Sequence, residues 1–415
     1  MAAAGGKHWV MLAAGSKKWD NYRHQADVCH AYQIMHQNGI PDSQIVVMMY
    51  DDIAYNDKNP YPGKIINKPN GWNVYQRVPK DYTGQDVTPE NFLAVLRGDK
   101  RAVRSNGPKK VIASGRNDTI FIYLSDHGGP GVFCFPNSPL YASDLIATIK
   151  QMAADRMFSK MVIYLEACYS GSMFTQLPSY INVYAVTAAN PIESSYACYF
   201  DPVRKTYLSN EFSAVWMHHN EKCDLNKATF QDQFGYLQKK KCHSHFCWFG
   251  DMSVGQCPIR EVLKNAPQKP PQIIKARKLR LTDLTPTHEV PFTILKHRIA
   301  TETDAGKRQS LIRKQESLYQ ARAKIERTVQ AIKQRFPAGA DEDEVDGDYS
   351  TSIDLQEFKT VAEHFRTTCF DWHVEEFEIA LSYMQVFARL CARGVEAERI
   401  KEAITTVGES SNALQ

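Results

Sequence analysis

Two stretches decide the fold: Ile120-Phe121-Ile122-Tyr123-Leu124-Ser125-Asp126-His127-Gly128-Gly129, and Met161-Val162-Ile163-Tyr164-Leu165-Glu166-Ala167-Cys168-Tyr169-Ser170-Gly171. Each opens on an apolar run rich in β-branched and aromatic residues and closes on glycine, the pattern of a buried strand. One strand runs into a histidine, the other into a cysteine. In an open parallel sheet the carboxyl ends of the strands form the rim that carries sites, so His127 and Cys168 are expected to face each other there. That placement suits a thiol nucleophile and its base. A free thiol is little ionised near neutrality, and an imidazole in electropositive surroundings raises the supply of thiolate. Attack on a carbonyl leaves a negative oxygen that needs fixed donors, and the backbone N–H groups of Gly128 and Cys168 are the expected pair. A single His or Cys is usually an ordinary core or turn residue; the paired placement is what favours catalysis. Ser170 is a weaker nucleophile candidate, because it lies further into the turn.

Working outward, 415 residues are too many for one typical core, and two unequal domains are expected. A hydrophobic share of 43% with 23% charged residues describes a soluble globular protein. No apolar run is long enough to span a bilayer, and Met1-Ala2-Ala3-Ala4-Gly5-Gly6 lacks the apolar core of a secretory signal. The expectation is either a cytosolic protein or one whose signal is absent from this sequence. Of the ten cysteines, Cys223, Cys242, Cys247 and Cys257 crowd one region. Disulfides are the simplest expectation there. A zinc site at Cys242-His243-Ser244-His245-Phe246-Cys247 is the weaker alternative, its spacing matching no standard finger. Asn117-Asp118-Thr119 is a glycosylation sequon.

Taken in order, His8 to Gly15 reads as a first strand, followed at once by Asn21-Tyr22-Arg23-His24. Ala26, Cys29, Ala31, Tyr32 and Met35 then recur at helical spacing, and Ile45 to Tyr50 is a second strand. A strand, helix, strand unit of this kind implies parallel pairing with a right-handed crossover. Residues 51–86 are rich in Pro, Gly and Asn and read as loops. Thr88 caps a helix that starts on Pro89 and ends at Arg97-Gly98-Asp99, a tripeptide that integrins read but that is common by chance. A helix over Ser143 to Met157 and a strand over Ile181 to Asn190 bring the sheet to five strands. Beyond Cys257 the chain reads as an extended connector through Lys269-Pro270-Pro271 and Thr285-Pro286-Thr287.

A long helix follows, with Leu311, Leu318, Ile325, Val329 and Ile332 as a narrow apolar stripe. Residues 306–335 carry nine Lys or Arg against two Glu, whereas residues 336–415 carry 17 acidic residues against six cations. The remaining front part is basic. Two solvated surfaces are the plain reading of such charges, but opposed nets of this size favour docking, and the attraction fades as carboxylates protonate in acid. The positive charge is neither clustered nor interleaved with stacking aromatics, so nucleic acid is not an expected partner.

At Lys7-His8-Trp9-Val10, Asn21-Tyr22-Arg23-His24-Gln25-Ala26-Asp27, Pro79-Lys80-Asp81-Tyr82-Thr83-Gly84, Glu166-Ala167-Cys168 and Ala188-Ala189-Asn190-Pro191 the sequence resembles the legumain family of asparaginyl endopeptidases. The likeness is close over about residues 7–304 and weaker through His364-Phe365-Arg366-Thr367-Thr368-Cys369-Phe370. It implies a caspase-like α/β fold, a mostly parallel sheet flanked by helices, with a C-terminal all-α prodomain that caps the site. The implied division is a peptidase domain at 7–304, an activation-peptide helix at 305–338, an acidic linker at 339–350 and a helical prodomain at 351–415. His127 is then the base, Cys168 the nucleophile and Asn21 the group that orients the histidine. An Asn-binding pocket is implied at Arg23, His24, Glu166, Ser194 and Ser195. A carboxamide presents an acceptor and a donor, which Arg23 and a carboxylate can read, and a protonated Asp presents the same pattern, so Asp is expected to be accepted in acid.

The resemblance also implies an endolysosomal or secreted setting, cystatin-type inhibitors as partners, no cofactor or metal, and ligation when a peptide amine intercepts the acyl enzyme. Three departures stand out. Asn210, with Glu211 beside it, stands where the family has a pocket Asp; the usual activation Asn is absent near Thr303, leaving Asp304; and Glu357 and Gly408 replace two prodomain cysteines, while Cys369 and Cys391 remain. The other readings are a noncatalytic binding protein acting through the Arg97-Gly98-Asp99 loop or the acidic tail, and a related transamidase, which is expected to carry a membrane helix.

Overall fold

The computed structural model describes residues 5–265, 278–337 and 351–412. The connector at Lys269-Pro270-Pro271 and the acidic linker at 339–350 lie outside them.

Six strands form the central sheet: β1 (His8–Ala14), β2 (Ile45–Met48), β3 (Thr119–Ser125), β4 (Lys160–Glu166), β5 (Val183–Thr187) and β6 (Cys247–Gly250). Their order is β6-β5-β4-β3-β1-β2. All neighbours are parallel except β6, which runs antiparallel to β5 at one edge. The sheet is mostly parallel and flanked by helices, as expected. The two apolar faces of its strands each meet a separate packed layer: Leu12, Phe121 and Tyr164 on one side with the helix Tyr22–Gln37, and Met11, Ile122 and Ile163 on the other with the helices Pro89–Leu96 and Ala142–Ala154. Buried on both faces, these strands show continuous rather than alternating apolar sequence.

Local signals hold at the ends of elements. Thr88 Oγ1 accepts from Asn91 N at 3.1 Å, with Pro89 in the first turn. The expected strands at Ile45 to Tyr50 and Ile181 to Asn190 are shorter, at Ile45–Met48 and Val183–Thr187. Three features are additional to the expected five strands: edge strand β6; a small sheet in which Tyr196–Asp201 pairs with both Thr206–Asn210 and Thr285–Pro286; and a small antiparallel sheet of Gly128–Gly129, Val132–Cys134 and Pro139–Tyr141. The supposed connector around Thr285 is therefore in part a strand.

The long helix is Ala305–Lys333, and three more follow at Leu355–Thr368, Ala380–Ala392 and Ala397–Asn412. Its stripe residues Ile325, Val329 and Ile332 are buried against Phe358, Phe365, Met384 and Phe387. Val132, Cys134 and Tyr141 of the front part join this same core, so the C-terminal helices are fastened to the sheet domain by apolar packing. Among the described residues, no helix is long and apolar enough to cross a membrane.

All ten cysteines carry separate thiols, which corrects the expectation of disulfides among Cys223, Cys242, Cys247 and Cys257. Neighbours in sequence are separated by the fold. Cys223 closes the helix Glu211–Lys222, Cys247 opens β6, and the Cys257 thiol reaches the carbonyl of Ser253.

Candidate active site

Strand register brings the two decisive residues level. Ser125, the last residue of β3, pairs with Glu166, the last residue of β4, and Asp126 N donates to the Glu166 carbonyl at 3.1 Å. His127 and Cys168 each lie two residues beyond that pair, on adjacent parallel strands. Both line one cleft, together with Gly128, Ser194 and Thr287.

Asn21 closes the short turn before the helix Tyr22–Gln37. Its Nδ2 donates to the Lys17 carbonyl at 3.0 Å, which leaves Oδ1 as an acceptor 2.8 Å from His127 Nε2. Burial holds His127 well below its ordinary pKa, and the charges of Arg23 and His373 act the same way. A neutral imidazole that donates from Nε2 carries its lone pair on Nδ1, and Nδ1 is buried without a partner among the described residues. The free basic nitrogen is thus the one not spent on Asn21.

Cys168 Sγ accepts from Ser195 N at 3.3 Å and lies 3.4 Å from Ser195 Oγ. Tyr169 follows with φ of 55°, a left-handed turn that swings the chain off the strand directly after the thiol. Gly128 is pressed against this turn: a Cβ there would lie 2.5 Å from the Cys168 carbonyl oxygen, so only glycine permits the approach.

Behind the thiol lies a buried polar cluster. Arg23 Nε donates to Asn210 Oδ1 at 3.0 Å, and Asn210 Nδ2 donates to Asp27 Oδ2 at 2.6 Å. Asp27 also accepts from Asn67 at 2.8 Å, Ser209 at 3.0 Å and Ser125 at 3.1 Å; burial pushes its pKa to about 6 against these bonds. Glu166 Oε2 accepts from Ser213 N at 3.0 Å and Ser213 Oγ at 2.9 Å, while its Oε1 is buried without a partner among the described residues. Burial, and then the Asp27 charge, drive the Glu166 carboxyl well above the usual range. His24 Nδ1 is 2.7 Å from Ser16 Oγ and its ring stands edge-on to His127 at 4.8 Å. Ser194 lines the cleft and meets His288 at 2.9 Å. With the C-terminal region in place, Arg23, Glu166 and Asn210 themselves are buried and do not line the cleft. Glu211 is turned elsewhere: its carboxylate accepts from His243 N at 2.9 Å and Ser244 N at 3.4 Å.

The C-terminal region covers the cleft. Glu378 Oε2 is 3.4 Å from His127 Nε2, and Ile379, Leu381 and Ser382 line the opening. Gln385 Nε2 donates to the Ile192 carbonyl at 2.9 Å, and Lys359 pairs with Asp144 at 2.9 Å.

The remaining expectations lie apart from this centre. Asp304 is exposed between two helices and caps the second, accepting from Lys307 N at 2.8 Å. Asn117 is exposed in a turn. Asp99 of Arg97-Gly98-Asp99 spends Oδ1 on the N–H groups of Arg101 and Ala102, at 3.1 and 3.2 Å. His243 and His245 turn to the separate carboxylates of Glu211 and Glu193, not to a shared ligand position. Among the described residues, His24, Asp126 and His127 have metal-holding spacing, with both histidines already engaged by Ser16 and Asn21.

Sequence reasoning missed Asp27, Ser213 and Glu378. Asp27 lies four residues after Arg23 on one helix face, a spacing that offered a signal; Ser213 and Glu378 are reached only through the fold.

A model of the Peptidase C13 family matches residues 8–266. The chain is 47% identical to legumain of Rattus norvegicus over 97% of this chain and 93% of that one, and 46% identical to legumain of Homo sapiens over 96% and 92%. It is 36% identical to hemoglobinase of Schistosoma japonicum over 96% of this chain and 92% of that one. A solved structure of caspase-1 from Spodoptera frugiperda is similar at a TM-score of 0.36 with 9% identity, over 59% of this chain and 88% of that one. With a family match across more than half of its length and relatives close to half identical along nearly all of it, the chain belongs to the Peptidase C13 family and is a cysteine endopeptidase.

Proposed function

We propose that this endopeptidase cleaves peptide bonds after Asn, and after Asp in acid, and that it is made as a zymogen whose C-terminal region holds it inactive. The observation that carries the reading is the level placement of His127 and Cys168 with Asn21 fixing the imidazole. His127 Nδ1 takes the Cys168 proton; the thiolate attacks the carbonyl carbon after Asn; Gly128 N and Cys168 N receive the oxyanion. The imidazolium then returns its proton to the departing amine, leaving a thioester. Water hydrolyses the thioester, or a second peptide amine replaces it and gives ligation. Arg23, His24, Glu166, Ser194, Ser195 and Asn210 form the Asn-reading set, with Glu166 in its acid form able to donate to or accept from a carboxamide.

In the proposed zymogen, residues 7–304 are the peptidase, 305–338 the activation peptide, 339–350 the acidic linker and 351–415 the prodomain. Glu378, Ile379 and Leu381 in the cleft support this division, and exposed Asp304 is the proposed activation cut. Peptides and proteins are its substrates; an endolysosomal or secreted setting, glycosylation at Asn117 and cystatin-type inhibitors complete the reading.

The test is incubation of purified full-length protein in acid, followed by intact mass and turnover of matched peptides with Asn, Asp or Gln at the cleavage position. Loss of the tail near Asp304 with Asn-selective turnover, both abolished in Cys168→Ala, is the expected result. No turnover even after another protease removes the tail would overturn it.

A further inference from the structure

Arg23 is fully buried, yet it forms no ion pair among the described residues. Its Nε donates to the neutral amide of Asn210 at 3.0 Å, its Nη1 reaches the Asp20 carbonyl at 3.5 Å, and its Nη2 is buried without a partner among the described residues. A guanidinium is always charged, and a buried charge lacking a counter-ion is among the least favourable arrangements a protein holds.

Every neighbouring acid is engaged elsewhere or disfavoured as a carboxylate by burial. On its own helix and the turn before it, Asp27 is separated from Arg23 by the Asn210 amide and takes four hydrogen bonds, and the Asp20 carboxylate is held by Arg298 at 2.6 Å. From the sheet, Glu166 binds Ser213, and burial drives both Glu166 and Asp126 well above the usual carboxylate range. From the hairpin, the Tyr207 hydroxyl meets Thr285 at 2.6 Å. Burial holds both His24 and His127 well below the ordinary imidazole pKa. A further carboxyl that feels the Arg23 charge, Glu378, belongs to the C-terminal region and leaves with it.

Resting on the reading of this cluster as the specificity pocket, we propose that it receives the ionised carboxylate of Asp as the missing counter-ion of Arg23, so that cleavage after Asp extends from acid toward neutral pH. Asn210 is the determinant. An Asp at that position would neutralise Arg23 and leave a pocket that accepts Asp only as the uncharged acid. With Asn210 the guanidinium keeps its charge for the substrate, while an Asn substrate still finds the same donors through its amide oxygen.

The experiment measures kcat/KM for two peptides differing only in Asn or Asp at the cleavage position, between about pH 4.5 and about pH 6.5, with enzyme activated from the full-length chain. The Asp-to-Asn ratio cancels titration of the enzyme's own catalytic groups. A free Asp side chain titrates near about 3.9, so recognition of the acid alone would lower the ratio roughly tenfold per pH unit, about a hundredfold across the range. The proposal predicts a change below about fivefold, and a return to the roughly hundredfold fall in Asn210→Asp. A wild-type ratio that falls a full hundredfold overturns the proposal, as does a profile equally flat in wild type and Asn210→Asp; where the variant does not fold, the wild-type profile decides. Turnover of the Asn peptide without the Asp peptide sinks this inference alone. Turnover of neither, or of both in Cys168→Ala, overturns the pocket reading beneath it as well.

Discussion

Glu378 Oε2, carried by the C-terminal region, lies 3.4 Å from Nε2 of His127, the nitrogen that also contacts Asn21 at 2.8 Å. A carboxyl of the tail is thereby set against the imidazole that would serve as base. Burial pushes Glu378 up to about 7, with the Arg23 charge acting in the opposite direction.

The sign of that shift yields a pH prediction. A carboxyl raised above its ordinary 4.5 contributes to docking fully below about pH 4.5 and loses that contribution as pH rises through about 7. Glu378 therefore opposes release of the tail in acid. Glu363 runs the other way: burial raises it, but Arg366 and Tyr141 outweigh this and hold it low, so its contribution is lost as pH falls through its folded value. In a Cys168→Ala background, Glu378→Gln should raise the melting temperature above about pH 7 and leave it unchanged below about pH 4.5. Glu363→Gln should lower it near neutrality, with the difference vanishing in acid. Melting curves across pH check both.

Asn21→Ala should leave the fold intact and lower kcat roughly 10- to 100-fold, with KM little altered. The substitution frees the imidazole to rotate and removes the bond that keeps the lone pair on Nδ1. Steady-state kinetics on an Asn peptide after activation would separate kcat from KM; an equal rise in KM would place Asn21 in substrate binding instead.

Gly128→Ala puts a Cβ where the Cys168 carbonyl oxygen stands 2.5 Å away, so the turn carrying the thiol must move. A shift approaching 1 Å at a reacting centre costs about a hundredfold. Activity should fall by that order while the melting temperature changes by only a few degrees, which kinetics and calorimetry together would report.

Tail retention should depend on apolar packing more than on ion pairs. Phe358 is buried in the core shared with Val132 and Tyr141, and Phe358→Ala should cost about 3–5 kcal/mol. Lys359→Ala removes a pair with Asp144 whose partners are 32% and 37% exposed, worth less than about 1 kcal/mol. Chemical denaturation of the full-length chain distinguishes the two, and only Phe358→Ala should expose peptidase activity near neutral pH.

Much of this architecture was legible because the signals are local. The apolar runs before His127 and Cys168, the Thr88 cap with Pro89 and the stripe on Ala305–Lys333 depend on neighbours within a few residues. β6 was missed because Cys247–Gly250 is a short, partly exposed edge strand that pairs with β5, distant in sequence. The roles of Asp27 and Glu378 depend on contacts with Asn210 and His127 that only the folded chain creates. Cysteine crowding misled for a related reason: closeness in sequence placed Cys223, Cys247 and Cys257 on different elements, not beside one another.

The most direct test of the central claim is covalent trapping of the thiol. Full-length protein and protein freed of its tail would each be treated with a short Asn-containing peptide electrophile, and the adducts mapped by peptide mass. A single adduct at Cys168 is expected, formed rapidly once the tail is gone, slowed by Asn21→Ala, and nearly absent while Glu378 and Leu381 fill the cleft. Labelling spread over the other cysteines, or equally fast at Cys168 with the tail in place, would contradict it.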